Sequence, residues 1–542
     1  GGRIAGVNVS SGEGMPGGQM NIVIRGNNSL TQDNSPLYVI DGFPVEDPSI
    51  AAAINQNDIE SLDFLKDASA TAIYGARGAN GVVMITTKKG TIGQPKIKYD
   101  GSFGIQHITK TIPMMDAYEF VKLQAERSPK DMETTYFMNY DGKKWGLEDY
   151  RNIPQYNWQD EIFRSAWMQS HNVSLTGGSE GVRYNASLSY YDQDGILLES
   201  NYKRVQGRMG TTIQKKKLKI YLTTNYSSTT TTGGSPSQNS YSGMNNLFYS
   251  VWGYRPVTEP DRPLNSLMDN IMDDAINNTN DYRFNPIMSL KNEYRKTYAN
   301  YIQFNGFAEY EFIKGLKLKE TLSYDYAVQK DSRYLNPLSG AGPKSGSDAQ
   351  TSKGFTEYGK LLSSTSLNYT RTFAAKHHLD VLAAYELESY QSDKAMGEKS
   401  KLPSDVLLEP DNAAVLKSFV SSTQAYRMIS YLSRLNYDYD DRYYIAGSYR
   451  RDGSSRLAPE SRWGDFWSVS GMWHLSNESF MNAVKPVLND VKIRVSYGVN
   501  GNQPGAFYGY MGLYSYGQNY MGAAGSYESV SYTHLRAHET SA

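Results

Sequence analysis

Between Lys96 and Val499 the chain alternates apolar and polar residues with a period of two, in one segment after another. In Asn300 to Phe312 one face carries Ile302, Phe304, Gly306, Ala308, Tyr310 and Phe312, and the other carries Gln303, Asn305, Glu309 and Glu311. Successive side chains of a strand point to opposite faces, so each segment reads as a strand with one apolar and one wet side. Leu218, Ile220, Leu222, Thr224 and Tyr226 repeat the pattern against Lys219, Thr223 and Asn225. So do Leu316, Leu318, Leu322, Tyr324 and Tyr326 against Lys317, Lys319, Ser323 and Asp325, and Val491, Ile493, Val495 and Tyr497 against Lys492, Arg494 and Ser496. About 13 such segments are present, of the length expected for tilted membrane-crossing strands.

The connections between them carry more information. Short turns (Gly178 to Gly181, Lys215 to Lys217, Lys314-Gly315, Ala374 to His377, Asp438 to Arg442) alternate with longer loops, of which the longest run over Ile108 to Trp167, Ser228 to Ala299, Gln329 to Gly354 and Ser392 to Ser422. Long connections on one side only are expected of an outer-membrane barrel, with tight periplasmic turns and large extracellular loops. A soluble sandwich or propeller also has many alternating strands, but gives its long loops no reason to alternate with tight turns. The composition, with 44 Tyr against 17 Phe and 7 Trp, and 48 Gly, suits aromatic-faced strands joined by turns. No run of about 18 apolar residues occurs, which excludes a spanning helix and leaves a barrel open, because barrel strands need only alternate residues apolar. A formal net charge of -1 supplies no basic face for nucleic acid. The absence of cysteine removes disulfides, Cys-based metal sites and Cys nucleophiles.

Gln19 to Gly90 has a different texture. Short apolar strands (Ile22 to Ile24, Leu37 to Ile40, Val82 to Thr86) are broken by Arg25-Gly26, by Asp41-Gly42, and by Gly75, Gly78 and Gly81. Asp41-Gly42 between LYVI and FPV predicts a two-residue hairpin, whose type I′ turn needs positive φ at both central residues. An Ala-rich helix is expected from about Ser69 to Tyr74, capped near Asp67 and ended by Gly75. A further strand is expected at Ile4, Val7 and Val9. The chain thus reads as a small α/β unit heading a long antiparallel meander.

With these residues in view, the chain resembles the SusC/RagA family of TonB-dependent outer-membrane transporters. The plug signature of that family is similar to IVIRGNNSL, PLYVIDGFPV and DIESLDFLKDASATAIYGARGANGVVMITTKKG. Two further matches lie far downstream, YYIAGSYRRDGSSRLAPESRWGDFWSVSGMWHLSNESF from Tyr443 to Phe480, and VKIRVSYGVNGN from Val491 to Asn502. The resemblance implies a transmembrane antiparallel barrel of about 22 strands with an N-terminal α/β plug domain, set in outer-membrane lipid. It also implies TonB-driven import of oligosaccharides, or of oligopeptides, together with a SusD-like surface lipoprotein. On this reading residues 1–94 are plug lacking its N-terminal part, 95–529 are a partial barrel, and 530–542 (VSYTHLRAHETSA) are a non-native or disordered tail. Signal peptide, TonB box and later barrel strands are expected to lie outside the sequence, and the chain alone is not expected to insert as a functional pore.

Plug residues Arg25, Gly26, Asp41, Gly42, Gly75, Arg77, Gly78 and Gly81 are the expected structural and gating set. The spacing Gly75-x-x-Gly78-x-x-Gly81 resembles a phosphate loop, but there a strand precedes the glycines and a helix follows; here the order is reversed, so the glycines serve backbone geometry. Arg77 is expected to pair with the barrel wall or with the plug's own carboxylates. Arg25 and Asp41 are expected to need partners inside a polar lumen. His107, His171, His377, His378 and His474 fall in unrelated strands or turns, and no G-x-S-x-G or H-E-x-x-H occurs, so no catalytic role is expected. Asp269, Asp273 and Asp274 lack the EF-hand spacing, Asp438, Asp440 and Asp441 read as turn carboxylates, and His534 and His538 lie in the anomalous tail; no metal or cofactor is expected. Ligand contacts are expected from aromatic and amide side chains, the densest loop cluster being Asn245, Asn246, Phe248, Tyr249, Trp252 and Tyr254. Packing of the loop on itself, or a place in the interfacial aromatic girdle, is the competing reading for each of them. A soluble or surface β-rich adhesin is the alternative from another class.

Overall fold

The structure is a computed structural model that describes the chain except residues 1–3, 12–14, 19, 27–33, 46–47, 53, 68–70, 141–142, 235–246, 261, 269–283, 340–347, 483–485, 512, 521–522 and 530–542. Strands β1 (Val7–Ser11) and β2 (Met20–Ile24) form an antiparallel pair. Strands β3 (Leu37–Ile40), β4 (Phe43–Val45), β5 (Ile59–Leu65) and β6 (Val82–Thr87) form a sheet in the order β4-β3-β6-β5. LYVI and VVMI are nearly unbroken apolar runs because β3 and β6 lie side by side, parallel and covered on both faces. One face joins Tyr38, Ile40, Val83 and Ile85 to Ile24, Ile50 and Ile54; the other joins Leu37, Val39 and Val82, with Tyr74 and Met84 against them. Asp41 (φ 53°) and Gly42 (φ 94°) make the two-residue hairpin, with Ile40 opposite Phe43.

Three sequence expectations need correction here. Ile4 precedes β1 rather than belonging to it. The expected helix is a 3-10 helix at Ala72–Arg77 in which Gly75 sits inside, at φ 55° and ψ -122°, rather than at the end; Ser69 lies outside the described residues. Glycine's tolerance of that conformation kinks the turn and lets it run on. Strand β5 (IESLDFL) was not anticipated, because Glu60, Ser61 and Asp63 interrupt its apolar pattern and its register with β6 shifts between Ile59 and Ser61.

The rest is one 13-stranded sheet in which every strand pairs antiparallel with the next in sequence. It begins with β7 (Gly93–Gln106), passes a short hairpin of β8 (Asn139–Tyr140) and β9 (Lys143–Lys144) within a loop, and resumes at β10 (Ala166–Gly178). It continues through β11 (Val182–Asp194), β12 (Asn201–Lys215), β13 (Leu218–Thr232), β14 (Glu293–Ile313) and β15 (Leu316–Leu335). The last members are β16 (Gln350–Phe373), β17 (His377–Ser400), β18 (Val415–Tyr439), β19 (Tyr443–Ser454), β20 (Trp463–His474) and β21 (Lys492–Gly498). Strands β22 (Leu513–Tyr520) and β23 (Ala523–Ser529) form a separate pair.

Which face is buried decides what kind of sheet this is. On β14 Tyr301, Gln303 and Asn305 are buried while Phe304, Tyr310 and Phe312 are exposed; on β13 Thr223, Asn225 and Ser227 are buried while Leu222 and Tyr226 are exposed. A soluble sandwich would bury the apolar row. Here polar rows face the plug and apolar rows face outward, as a sheet in lipid requires. No helix among the described residues is long and apolar enough to cross a membrane, which says nothing of strands.

The tight turns fall where the alternation places them. The loops opposite are shorter than expected, because strands extend into them: β17 and β18 stay paired from Lys394↔Ser422 to Ser400↔Val415, inside the segment read as a loop. Beyond lipid both faces meet water, so periodicity fades while the backbone ladder continues. One connection breaks the asymmetry. The described residues of 475–491, between β20 and β21, lie at the tight-turn end, held by Asn477 Nδ2 donating to the Asp441 carbonyl. At the other end, the described residues of 107–165 and 233–292 fold together into a lobe. Its helix Ala117–Arg127 starts at a reciprocal cap between Asp116 and Glu119. One small core gathers Phe120, Val121, Met132, Tyr136, Tyr150 and Val257, a second Trp158, Ile162, Val251, Tyr254, Leu267 and Ile287.

Candidate functional site

The plug meets the sheet along a polar seam, and its most buried part is built on the glycine turn. Arg77 Nη1 lies 2.7 Å from Glu388 Oε2 on β17, with both side chains almost wholly buried. Glu388 also accepts from the Tyr426 hydroxyl on β18 at 2.5 Å and faces Lys360 Nζ of β16 at 3.4 Å. Lys360 in turn reaches the Pro44 carbonyl of the plug at 3.3 Å. One strand pair further, Arg450 of β19 contacts Asp452 Oδ1 (2.6 Å), Glu386 Oε2 (2.8 Å) and the Ile73 carbonyl (2.7 Å), while the Ala76 amide donates to Asp452 Oδ2 at 2.9 Å. A Cβ on Gly75 would stand 2.2 Å from Asp452 Oδ2, so the absence of a side chain there lets plug and wall close.

A second patch is centred on the hairpin. Asp41 Oδ2 is 2.8 Å from Arg208 Nη2 on β12, again with both side chains buried. Asp41 also accepts from the Thr87 hydroxyl at 2.5 Å and the Tyr221 hydroxyl at 3.3 Å. Asp58 accepts from the Ser187 hydroxyl of β11 at 2.7 Å. These partners lie on strands from β11 to β19, so the sheet must curve around the plug to supply them. Arg25 is paired too, but with Asp67 of the plug itself at 2.6 Å, and it remains half exposed, so its partner lies within the plug and not on the wall.

The remaining plug glycines have separate reasons. Gly26 (φ 95°) and Gly42 (φ 94°) need the conformation, with open space where a Cβ would be. Gly81 needs both, at φ 83° and with Ile24 against it, whereas at Gly78 a Cβ would meet the Thr71 carbonyl oxygen at 2.5 Å. Sequence reasoning missed Arg208, Lys360, Glu388, Arg450 and Asp452. The available signal was a charged residue on the inward row of a strand otherwise lined by small polar groups.

The loop aromatics separate into two sets. Phe248 and Trp252 stack, with centroids 5.2 Å apart and planes at 9°, on the helix Leu247–Gly253, and Trp252 and Tyr249 present exposed surface. Tyr254 is corrected: it is buried in the lobe, edge-on to Trp158 at 5.3 Å, and offers no open face. Asn245 and Asn246, like Asp269, Asp273, Asp274, His534 and His538, lie outside the described residues. Asp438 and Asp441 converge with His378, their ligand atoms within 4.8 Å of one another, a grouping the sequence did not suggest; Asp440 turns to Lys376 and Arg442, each at 3.5 Å.

Comparison with known proteins agrees with this geometry. Residues 2–82 match the family model described as TonB-dependent Receptor Plug Domain. The chain is 30% identical over 552 residues to TonB-dependent receptor SusC of Bacteroides thetaiotaomicron, covering 96% of this chain and 51% of that protein. It is 30% identical over 513 residues to TonB-dependent receptor P3 of Formosa agariphila, covering 92% of this chain and 47% of that protein. The solved RagAB peptide transporter is similar with a TM-score of 0.80 at 26% identity, covering 97% of this chain and 60% of that one. The chain spans about half the length of the curated relatives it matches.

Proposed function

Because the chain belongs to the SusC/RagA family of TonB-dependent outer-membrane receptors, we propose that it is the plug and adjoining wall of an active importer of oligosaccharides. The observation that carries the reading is the seam: the plug is gripped by buried ion pairs and hydrogen bonds. Such contacts give definite seating yet part without tearing a hydrophobic core, because water resolvates both partners as they separate. Cargo enters from the long-loop side, now the extracellular side. TonB, energised by the inner membrane, pulls the plug from the periplasmic side, and a surface lipoprotein covers the mouth.

The exposed Phe248–Trp252 stack on the extracellular lobe favours a glycan, since the apolar face of a sugar ring packs on an aromatic plane. An oligopeptide is the second reading, favoured by the likeness to a peptide transporter. The test expresses the full-length receptor with its lipoprotein and measures uptake of labelled hexose oligosaccharides and labelled peptides, with and without a protonophore. Protonophore-sensitive uptake of the oligosaccharides alone supports the proposal, uptake of peptides alone transfers it to the second reading, and uptake indifferent to the protonophore overturns both.

A further inference from the structure

After β21 the chain leaves the wall and turns inward. Gly498 is the last residue paired with β20, opposite Ser468, although β20 continues toward the extracellular side as far as Trp463. From Val499, whose amide donates to the Trp467 carbonyl at 2.8 Å, residues 499–508 cross the inner faces of β20, β19, β18 and β17. The first half touches the plug at its glycine turn. Asn500 Nδ2 donates to Thr71 Oγ1 at 2.8 Å, and the Gly501 amide lies 3.4 Å from the Gly75 carbonyl. Gly501 is pressed between Phe466 of β20 and the Ala76 backbone, leaving no room for a side chain.

The second half touches the wall beside the plug's main ion pair. Gln503 donates to Ser454 of β19 at 2.8 Å, and Arg456 Nη1 donates to the Pro504 carbonyl at 3.1 Å. Phe507 packs on Tyr390 of β17 and Tyr426 of β18, with centroids 5.6 and 5.7 Å apart, and the Arg456 guanidinium lies over both Tyr426 (4.0 Å) and Phe507 (4.3 Å). Tyr390 stacks in turn on Tyr358, which packs against the plug core. Tyr426 is the residue whose hydroxyl holds Glu388, and Glu388 is the carboxylate that holds Arg77. The segment therefore grips the plug twice, directly at Thr71 and Gly75, and through Tyr426 at the Arg77–Glu388 pair.

We propose that residues 499–508 are a cargo-displaced strap whose aromatic end, Phe507, lies on the extracellular side of the Arg77–Glu388 pair and whose release loosens the plug. Cargo competing for the Tyr390–Tyr426 surface lifts Phe507, frees the Tyr426 ring to move, and withdraws Asn500 and Gly501 from the glycine turn. The coupling needs no transmitted strain. Cargo has only to bind better when the strap is lifted, and the plug to be held better when it is down. This rests on the import reading above.

These 542 residues contain no cysteine, so an introduced thiol is read against the unsubstituted full-length receptor as background. In outer-membrane vesicles carrying the full-length receptor, Ala76→Cys is labelled with a maleimide in the otherwise unchanged protein and together with Phe507→Ala. The strap predicts labelling several-fold faster without Phe507; equal rates overturn it, whatever the cargo. Thr71→Cys with Asn500→Cys then ties strap to plug. Uptake of labelled hexose oligosaccharides is expected to fall at least tenfold on oxidation and to return on reduction. Equal uptake in both states overturns the strap, whereas a reduced receptor that imports neither oligosaccharides nor peptides overturns the import reading and leaves the labelling arm to decide the strap.

Discussion

Arg77 and Glu388 are separated by 311 positions in the chain and by 2.7 Å in space. Removing one member of a buried ion pair strands the other charge, at a cost of about 3–5 kcal/mol where nothing compensates. Here Lys360 stands 3.4 Å from the same carboxylate and softens the loss. Arg77→Ala is therefore expected to loosen the seated plug while leaving it folded, and Arg77→Ala with Lys360→Ala to do far more than the two effects added. Sensitivity of cells to a large glycopeptide antibiotic reads out the leak. Additive effects would show that the two cations do not share Glu388.

The two charged plug residues beside glycines should behave oppositely. Arg25 and Asp67 are about half exposed, and such pairs are worth roughly 0–1 kcal/mol. Asp41 and Arg208 are buried, and loss of the carboxylate leaves a guanidinium in the wall, at a cost of about 3–5 kcal/mol. Asp41→Ala should raise antibiotic sensitivity and protease access to the plug, whereas Arg25→Ala should change neither. Equal phenotypes would contradict the seam described above.

Gly75 and Gly26 give a second contrast. Both have positive φ, but a Cβ at Gly26 meets nothing within 4 Å, while at Gly75 it stands 2.2 Å from Asp452 Oδ2. Gly26→Ala carries only the backbone cost of a positive φ, about 1–2 kcal/mol. Gly75→Ala carries that cost and must also push Asp452 off the Ala76 amide, so its loss of plug seating should be several times larger, measured as the rate of plug proteolysis in outer-membrane vesicles.

The strands were legible because alternation survives wherever one face meets lipid and the other does not. The hairpin at Asp41-Gly42 was legible because few residue pairs accept its dihedral angles. Strand β5 was hidden because Glu60, Ser61 and Asp63 make an edge strand look like a loop. The partners of the seam were hidden for a deeper reason. Arg208 and Glu388 sit on rows that are polar in any barrel, and nothing local distinguishes a charge facing water from one facing another charge far away in the chain. Tyr254 was misplaced because aromatic density alone does not separate a loop core from a binding surface.

The extracellular lobe should loosen in acid. Burial alone would raise the Glu259 carboxyl, but the charge and hydrogen bond of Arg255, with Arg262 beyond, hold it below the ordinary carboxylate range. A depressed carboxyl contributes stability above its unfolded value of 4.5, and that stability is lost as pH falls through the lower folded value. Trp158 donates to the Arg255 carbonyl at 3.0 Å and so reports the change. Its fluorescence is expected to shift as the pH drops below about 4.5, and Glu259→Gln should abolish the shift. A shift unchanged in Glu259→Gln would assign the acid sensitivity to another group.

Trp252 and Tyr254 are two residues apart and should fail in different ways. Trp252 is 46% exposed and backed by the Phe248 ring, so its indole is held flat toward solvent without being covered. Trp252→Ala should leave the lobe folded and weaken binding of the oligosaccharide proposed as cargo by roughly five- to tenfold, the worth of about 1–1.4 kcal/mol of ring stacking. Tyr254 is 2% exposed, and Tyr254→Ala opens a cavity against Trp158, costing about 3–5 kcal/mol of lobe stability. Phe248→Leu distinguishes a platform from a simple apolar patch: it keeps the bulk but removes the plane behind Trp252, and should weaken oligosaccharide binding while peptide binding stays unchanged. If Trp252→Ala leaves oligosaccharide affinity intact in calorimetry on the full-length receptor, the stack is part of the lobe's own packing and the glycan preference loses its support.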